Sequence, residues 1–170
     1  MAEEELGPLH RGYYKTEELK QLGVFPPEGI MKKNRIAVIE CMEEMPCNPC
    51  AYICPVKAIR KEALCKPPSV DWKKCTGCTL CVSICPGLAI FCQQIVKEKG
   101  YVTMPYELLP SPHIGERALL LNRSGKVVGE GKIIKPTYKA NGNAYPLWVV
   151  TVEVPWPELA YEVRAIKIIR

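Results

Sequence analysis

Histidine is almost missing from this chain: His10 and His113 are the only two. No Ser-His-Asp, Cys-His or phosphate-loop arrangement occurs either, so the sequence lacks the usual equipment for nucleophilic or acid–base catalysis and for binding nucleotide phosphates. Long apolar runs are absent as well. Stretches such as Ala118 to Leu121 fall far short of the ~20 residues that span a bilayer, so a soluble protein without a transmembrane segment is expected. The opening MAEEELGPLHRGYYKTEEL has no charged n-region followed by an apolar h-region, which argues against secretion and for a cytoplasmic location. Nor do lysine and arginine gather into a stripe interleaved with exposed aromatics. The formal charge of +5 is dispersed, as on a solvated surface, and no nucleic-acid partner is expected.

Cysteine, by contrast, is plentiful. Ten occur among 170 residues, and in a cytosolic chain that density marks metal ligands more often than disulfides. Cys75-Thr-Gly-Cys78-Thr-Leu-Cys81-Val-Ser-Ile-Cys85-Pro86 has the bacterial ferredoxin spacing CxxCxxCxxxCP at every defined position. The close spacing lets one loop hold three corners of a cubane, while the fourth cysteine, displaced by a helical turn and stopped by proline, reaches the other cluster in two-cluster proteins. A zinc site would need neither the third cysteine nor the Cys-Pro ending. Gly77 suits a backbone that approaches inorganic sulfide closely.

An internal repeat extends this pattern. Cys47, Cys50, Cys54, Pro55, Ala58 and Ile59 recur as Cys78, Cys81, Cys85, Pro86, Ala89 and Ile90, all at an offset of 31. A constant offset marks a duplicated supersecondary unit. Each half reads as a short strand (Ile36 to Glu40; Ser69 to Trp72), a cysteine loop, a short helix and an apolar strand (Ala58 to Arg60; Ala89 to Cys92). If Cys54 completes the site of Cys75, Cys78 and Cys81, then Cys85 completes a site built on Cys47 and Cys50, and that site lacks one ligand. The offset puts it at Glu44, whereas the nearest cysteine is Cys41, with five residues between it and Cys47. Cys41 is then the ligand with MEEMP bulging outward, or the site is a three-cysteine, three-iron one, or Cys41 is a buried cysteine beside a degenerate site. Cys65 and Cys92 match no ligand position, and Cys92 reads as a small core residue. Glu43 and Glu44 in the first loop, against Lys73 and Lys74 before the second, predict a lower potential for the first cluster.

The remaining segments separate on composition. Residues 1–34 read as a Pro/Gly-broken extended arm lying on a partner subunit, with Tyr13, Tyr14, Leu22, Val24 and Phe25 as anchors and a disordered tail as the alternative, and a short helix is expected in TEELKQLG. Residues 35–92 make the dicluster 4Fe-4S ferredoxin domain, and 93–116 a proline-containing connector with one strand at Tyr101 to Met104. Residues 117–170 make a small β-rich docking domain: a hairpin around Arg123-Ser124-Gly125, a strand in LWVVTVEV after a Tyr138 to Pro146 loop, a helical turn in PELAYEV and a last strand in RAIKII. The expected class is α+β, a two-cluster ferredoxin-like domain of duplicated β-loop-α-β units followed by a small antiparallel β domain.

AVIECMEEMPCNPCAYICPVKAI, WKKCTGCTLCVSICPGLAIF and VVTVEVPWPELAYEVRAIKII together resemble the small ferredoxin-like iron-sulfur subunit of multisubunit flavin-dependent amine and imino-acid dehydrogenases of the proline, hydroxyproline and sarcosine types. The likeness covers residues 35–170 and includes the long Cys41 to Cys47 spacing. It implies two 4Fe-4S clusters, one on Cys41, Cys47, Cys50 and Cys85 and one on Cys75, Cys78, Cys81 and Cys54. It also implies a hetero-oligomer in which partner subunits hold FAD, with FMN or a 2Fe-2S centre beside it, while this chain relays electrons without catalysing the oxidation itself. A stand-alone dicluster ferredoxin with an appended β domain is the alternative.

Overall fold

The computed structural model describes residues 7–139 and 147–169. The first six residues of the expected arm, and most of the loop between Tyr138 and Pro146, lie outside them. Over the rest of the arm the chain forms three short helices, α1 (Pro8–Arg11), α2 (Thr16–Gln21) and α3 (Glu28–Met31). They fold back onto the protein's own sheet, where Leu19 and Met31 become fully buried. Phe25 packs edge-on against Tyr161 at 5.1 Å. Leu22, an expected anchor and the C-cap of α2, is 58% exposed instead.

The cysteine-rich segment follows with β1 (Ile36–Ile39), α4 (Pro49–Ile53), β2 (Ile59–Arg60), β3 (Ser69–Val70), α5 (Leu80–Ile84) and β4 (Ile90–Val96). Strand β1 pairs antiparallel with β4, and β2 with β3. The two helices obey the same offset of 31 as the cysteines. So do the turns after them: Lys57 N–H bonds Cys54 C=O and Leu88 N–H bonds Cys85 C=O, each at 3.2 Å. Lys57 and Leu88 both adopt left-handed backbone, at φ 52° and 51°. The proline after the last cysteine of each segment cannot continue the helix, which forces this reversal.

From β4 the chain turns into β5 (Lys99–Tyr106), then β6 (Arg117–Leu121), β7 (Val127–Lys139), β8 (Leu147–Val154), α6 (Leu159–Glu162) and β9 (Ala165–Ile169). These strands and β1 form one seven-stranded sheet in the order β1-β4-β5-β8-β7-β6-β9, with every neighbouring pair antiparallel. The architecture is mixed α/β, built on a mostly antiparallel sheet. The stretch expected as a connector supplies the end of β4 and all of β5, so the sheet runs without a break from the cysteine segment to the C-terminal strands. A register shift opposite Leu120 and Leu121 skips Val128 next to Gly129, which is the bulge a glycine pair in a strand suggests.

Alternation along the strands divides the interior into two layers. On one face Phe91, Val102, Met104, Val150, Val152 and Val154 pack with Leu120, Ile133, Ile166 and the α6 residues Leu159 and Ala160. On the other, Ile90, Cys92, Leu147 and Val149 pack with Ala37, Ile39, Ala58, Val82 and the cysteines of α4 and α5. The sheet thus presents one face to an ordinary apolar core and the other to the cysteines. Among the described residues no helix is long and apolar enough to cross a membrane.

Candidate metal centre

Two cavities lie against that second face. The first is lined by Cys41, Cys47, Cys50 and Cys85, together with Ile39, Pro49, Lys61, Pro68, Pro86 and Ile90. The second is lined by Cys54, Cys75, Cys78 and Cys81 with Ala37, Val56, Ala58, Ile59 and Cys92. All eight cysteines singled out as ligands therefore fall into two groups of four. Cys54 lies apart from Cys47 and Cys50 of its own segment, and Cys85 apart from Cys78 and Cys81 of its own. The helices account for this exchange. Cys50 sits in the first turn of α4 and Cys54 caps its end, so the two sulfurs leave opposite ends of the same short helix. Cys81 and Cys85 do the same on α5.

The donor set fits an iron-sulfur cluster. Each cavity offers its four candidate ligand thiols on walls otherwise mostly apolar; Cys50, Cys54 and Cys81 are buried, while Cys78 is exposed. Among the described residues no three His, Cys, Asp or Glu side chains gather around one metal ion; the thiols are spread around a void instead of converging to the ~2.3 Å of a mononuclear zinc–thiolate bond. Backbone donors are already aimed at the sulfurs. Ala58 N–H points at Cys54 Sγ (3.2 Å) and Ala37 N–H at Cys75 Sγ (3.5 Å), the kind of contact that stabilises a metal-bound thiolate. Burial, reinforced by the neighbouring Cys85, pushes the Cys50 thiol up to about 11. Burial raises Cys75 and Cys85 as well. Without a metal these thiols stay protonated, and a metal centre that binds them would displace the protons.

Gly77 lines the second cavity and also makes a contact outside it. Its φ is +63°, and a Cβ there would lie 2.2 Å from the Arg35 carbonyl oxygen, while its own carbonyl accepts a 2.8 Å bond from Arg35 Nε. The glycine lets the Cys75–Cys81 loop lock onto the chain just ahead of β1. Gly77→Ala is expected to lose most of the iron held by Cys75, Cys78 and Cys81, read as a fall in iron per chain against the unmodified protein; unchanged iron in that variant would show the contact to be dispensable.

Two residues that line the cavities escaped the sequence reading. Lys61 is half-buried, borders the first cavity and donates to the Cys47 carbonyl at 2.5 Å. Cys92 is fully buried, as a small core residue should be, but it also borders the second cavity, and its thiol is hydrogen-bonded to Cys81. The available signal was the repeat itself, since 61 and 92 are also 31 apart. Cys65 is exposed and lines neither cavity.

The charge pattern around the first site also differs from expectation. Glu44 is 63% exposed and paired with Lys66 at 2.5 Å, and neither Glu43 nor Glu44 lines the cavity. Beside the second site Lys74 lies 3.7 Å from Asp71, so Glu44 and Lys74, one residue from each side of the contrast, have opposite-charge partners of their own at the surface.

Comparison with known proteins bears on the second cysteine segment. No curated protein and no solved structure matches the chain. Residues 68–91, which contain Cys75, Cys78, Cys81 and Cys85, match the 4Fe-4S binding domain family. The matched stretch carries the four-cysteine run and supplies walls to both cavities, and the chain is therefore an iron-sulfur protein with a ferredoxin-like segment suited to electron transfer.

Proposed function

We propose that this chain is the dicluster iron-sulfur subunit of a multisubunit flavin-dependent dehydrogenase that oxidises an amine or imino acid such as proline. One observation carries the reading: the eight cysteines sort into two four-thiol cavities in the crossed pattern, and the stretched-spacing Cys41 takes the fourth place in the first. In this reading Cys41, Cys47, Cys50 and Cys85 hold one 4Fe-4S cluster and Cys54, Cys75, Cys78 and Cys81 the other, on a duplicated unit formed by residues 35–92. Such clusters accept and release single electrons. The protein's own part is to hold the sulfurs, to aim backbone N–H groups at them and to exclude water with Ala37, Ile39, Ala58, Ile59 and Ile90.

Cys41 also borders a wider cleft, which it shares with Tyr13, Tyr14, Met42 and Leu88. The proposed first cluster thus has one thiolate on a surface that a partner can reach. Leu108 and Leu109 in the loop after β5, Tyr138 on β7 and Trp156 after β8 are exposed, at 62%, 88%, 54% and 49%. Side chains of this type are common in permanent interfaces, and they support residues 117–170, with the neighbouring connector, as the docking part, while Tyr13 and Tyr14 put the described part of the arm beside Cys41 of the first site. The partner subunits would hold FAD, with FMN or a 2Fe-2S centre beside it, in a cytoplasmic hetero-oligomer. Gentle purification from the native source tests this. Flavoprotein chains and flavin absorbance are expected to co-elute with the iron, and a clean monomer at all concentrations would instead indicate a stand-alone dicluster ferredoxin.

A further inference from the structure

Positions 61 and 92 are equivalent in the repeat, following Ala58-Ile59-Arg60 and Ala89-Ile90-Phe91. Each lies against the cavity completed by the other half's last cysteine: Lys61 on the first, with Cys85, and Cys92 on the second, with Cys54. The cavities resemble one another in their four thiols and apolar walls, and they differ in what this shared position presents. One receives an ammonium and the other a thiol. Among the described residues Lys61 is the only charged side chain on either cavity wall, and its bond to the Cys47 carbonyl fixes the charge next to a proposed ligand; Arg35 bonds the Gly77 carbonyl of the second loop but does not line that cavity.

We propose that the position shared by Lys61 and Cys92 sets the potentials of the two sites apart, and that Lys61 makes the first the more easily reduced. This inference rests on the two-cluster reading. An added electron is stabilised by a nearby positive charge in a poorly screened interior. The Cys92 thiol, donating to the Cys81 sulfur, acts in the same direction on the second site but with a partial charge only. Backbone donors do not reverse the order, because both sites have them: Ala37 and Ala58 at Cys75 and Cys54, and Gly87 and Ala89 at Cys85. The order is opposite to the one that Glu43 and Glu44 suggest, since those carboxylates lie off the cavity wall and Glu44 is already paired.

An EPR-monitored redox titration of the intact protein tests this with three variants. Lys61→Gln keeps a donor for the Cys47 carbonyl and removes the charge. It is expected to lower the more positive midpoint by the equivalent of about tenfold in the reduction equilibrium, about 59 mV for one electron, and to leave the other in place. Lys61→Arg is expected to keep both midpoints, which a purely structural role for the lysine chain would not ensure. Cys92→Ala is expected to lower only the more negative midpoint, and by less. Two 4Fe-4S signals whose midpoints stay put in Lys61→Gln would overturn the inference while leaving the two-cluster reading intact. Wild-type protein with one cluster signal and half the iron would overturn the reading, and the inference with it.

Discussion

Replacing Cys41 with alanine is expected to remove or convert one cluster and to leave the second unaltered. On the proposed two-cluster reading, iron and acid-labile sulfide should each fall from about eight per chain towards about four, or iron alone to about seven with sulfide unchanged if a three-iron form persists. The reason lies in the cavity walls. Cys47, Cys50 and Cys85 are fixed by α4, by its capping loop and by the turn that Pro86 forces, and no other cysteine lines the first cavity. Cys65 lies on an exposed loop and lines neither cavity, so it cannot substitute without rearrangement. The second cavity shares no cysteine with the first, and its EPR signal should persist with unchanged midpoint. Two intact 4Fe-4S spectra in this variant would make Cys41 a bystander and reduce the first site to its three remaining thiols.

Glu40→Gln is expected to give the largest loss of stability among single surface-distant changes, about 3–5 kcal/mol by denaturant unfolding at neutral pH. Glu40 sits at the end of β1, next to Cys41, with its side chain 11% exposed, and it is shared by two arginines exposed 8% and 6%. Arg123 meets it through Nε at 2.8 Å and Nη2 at 2.6 Å, and Arg164 through Nε at 2.6 Å. Arg123 also donates to Thr16 Oγ1 in the arm and to the Tyr161 carbonyl beside α6. Removing the one carboxylate at the centre leaves two buried guanidinium groups facing each other. A loss below about 1 kcal/mol would mean that solvent reaches the cluster far more freely than the packing implies.

The same carboxylate has a pH signature. Burial alone would raise the Glu40 pKa, but Arg164 and Arg123 outweigh it and hold the group below its ordinary value. A carboxyl depressed in the folded state contributes its full stabilisation above the unfolded value and loses it as pH falls through the folded one. Wild-type stability should therefore decline in acid, below the ordinary carboxylate range near 4.5, while the deficit of Glu40→Gln shrinks there. A deficit that stays constant from pH 7 down to pH 3 would exclude the ion pairs as its source.

Much of the site was legible from spacing because cluster ligation is a local problem. A CxxCxxC loop has few ways to arrange its sulfurs, and an offset of 31 carries over helices, turns and left-handed residues together. The wider fold was less so. Pro105 and Pro110 make 93–116 look like a linker, yet Pro105 takes a place in β5 opposite Val149 and the alternation of Val102, Met104 and Tyr106 buries one face. Tertiary pairing with β8 outweighs the local signal there. Lys61 and Cys92 were hidden for a related reason. Each becomes part of a cavity only after the two halves exchange their last cysteines, an event that no window around either residue contains. The arm's real anchors, Leu19 and Met31, likewise depend on the sheet they reach.

The exchange also fixes a length. Cys50 and Cys54 belong to different cavities but stand four residues apart on one helix, as do Cys81 and Cys85. At 1.5 Å per residue the backbone offset between such partners is about 6 Å, and it is imposed twice, by two helices that pack against each other. The spacing of the two proposed centres is therefore a covalent property of a single helical turn, independent of how the sheet, the arm or any partner moves. The distance for hopping within the subunit should stay constant across conditions, which leaves control of electron flow to the two potentials and to the edges, where Cys41 and Cys78 meet the outside.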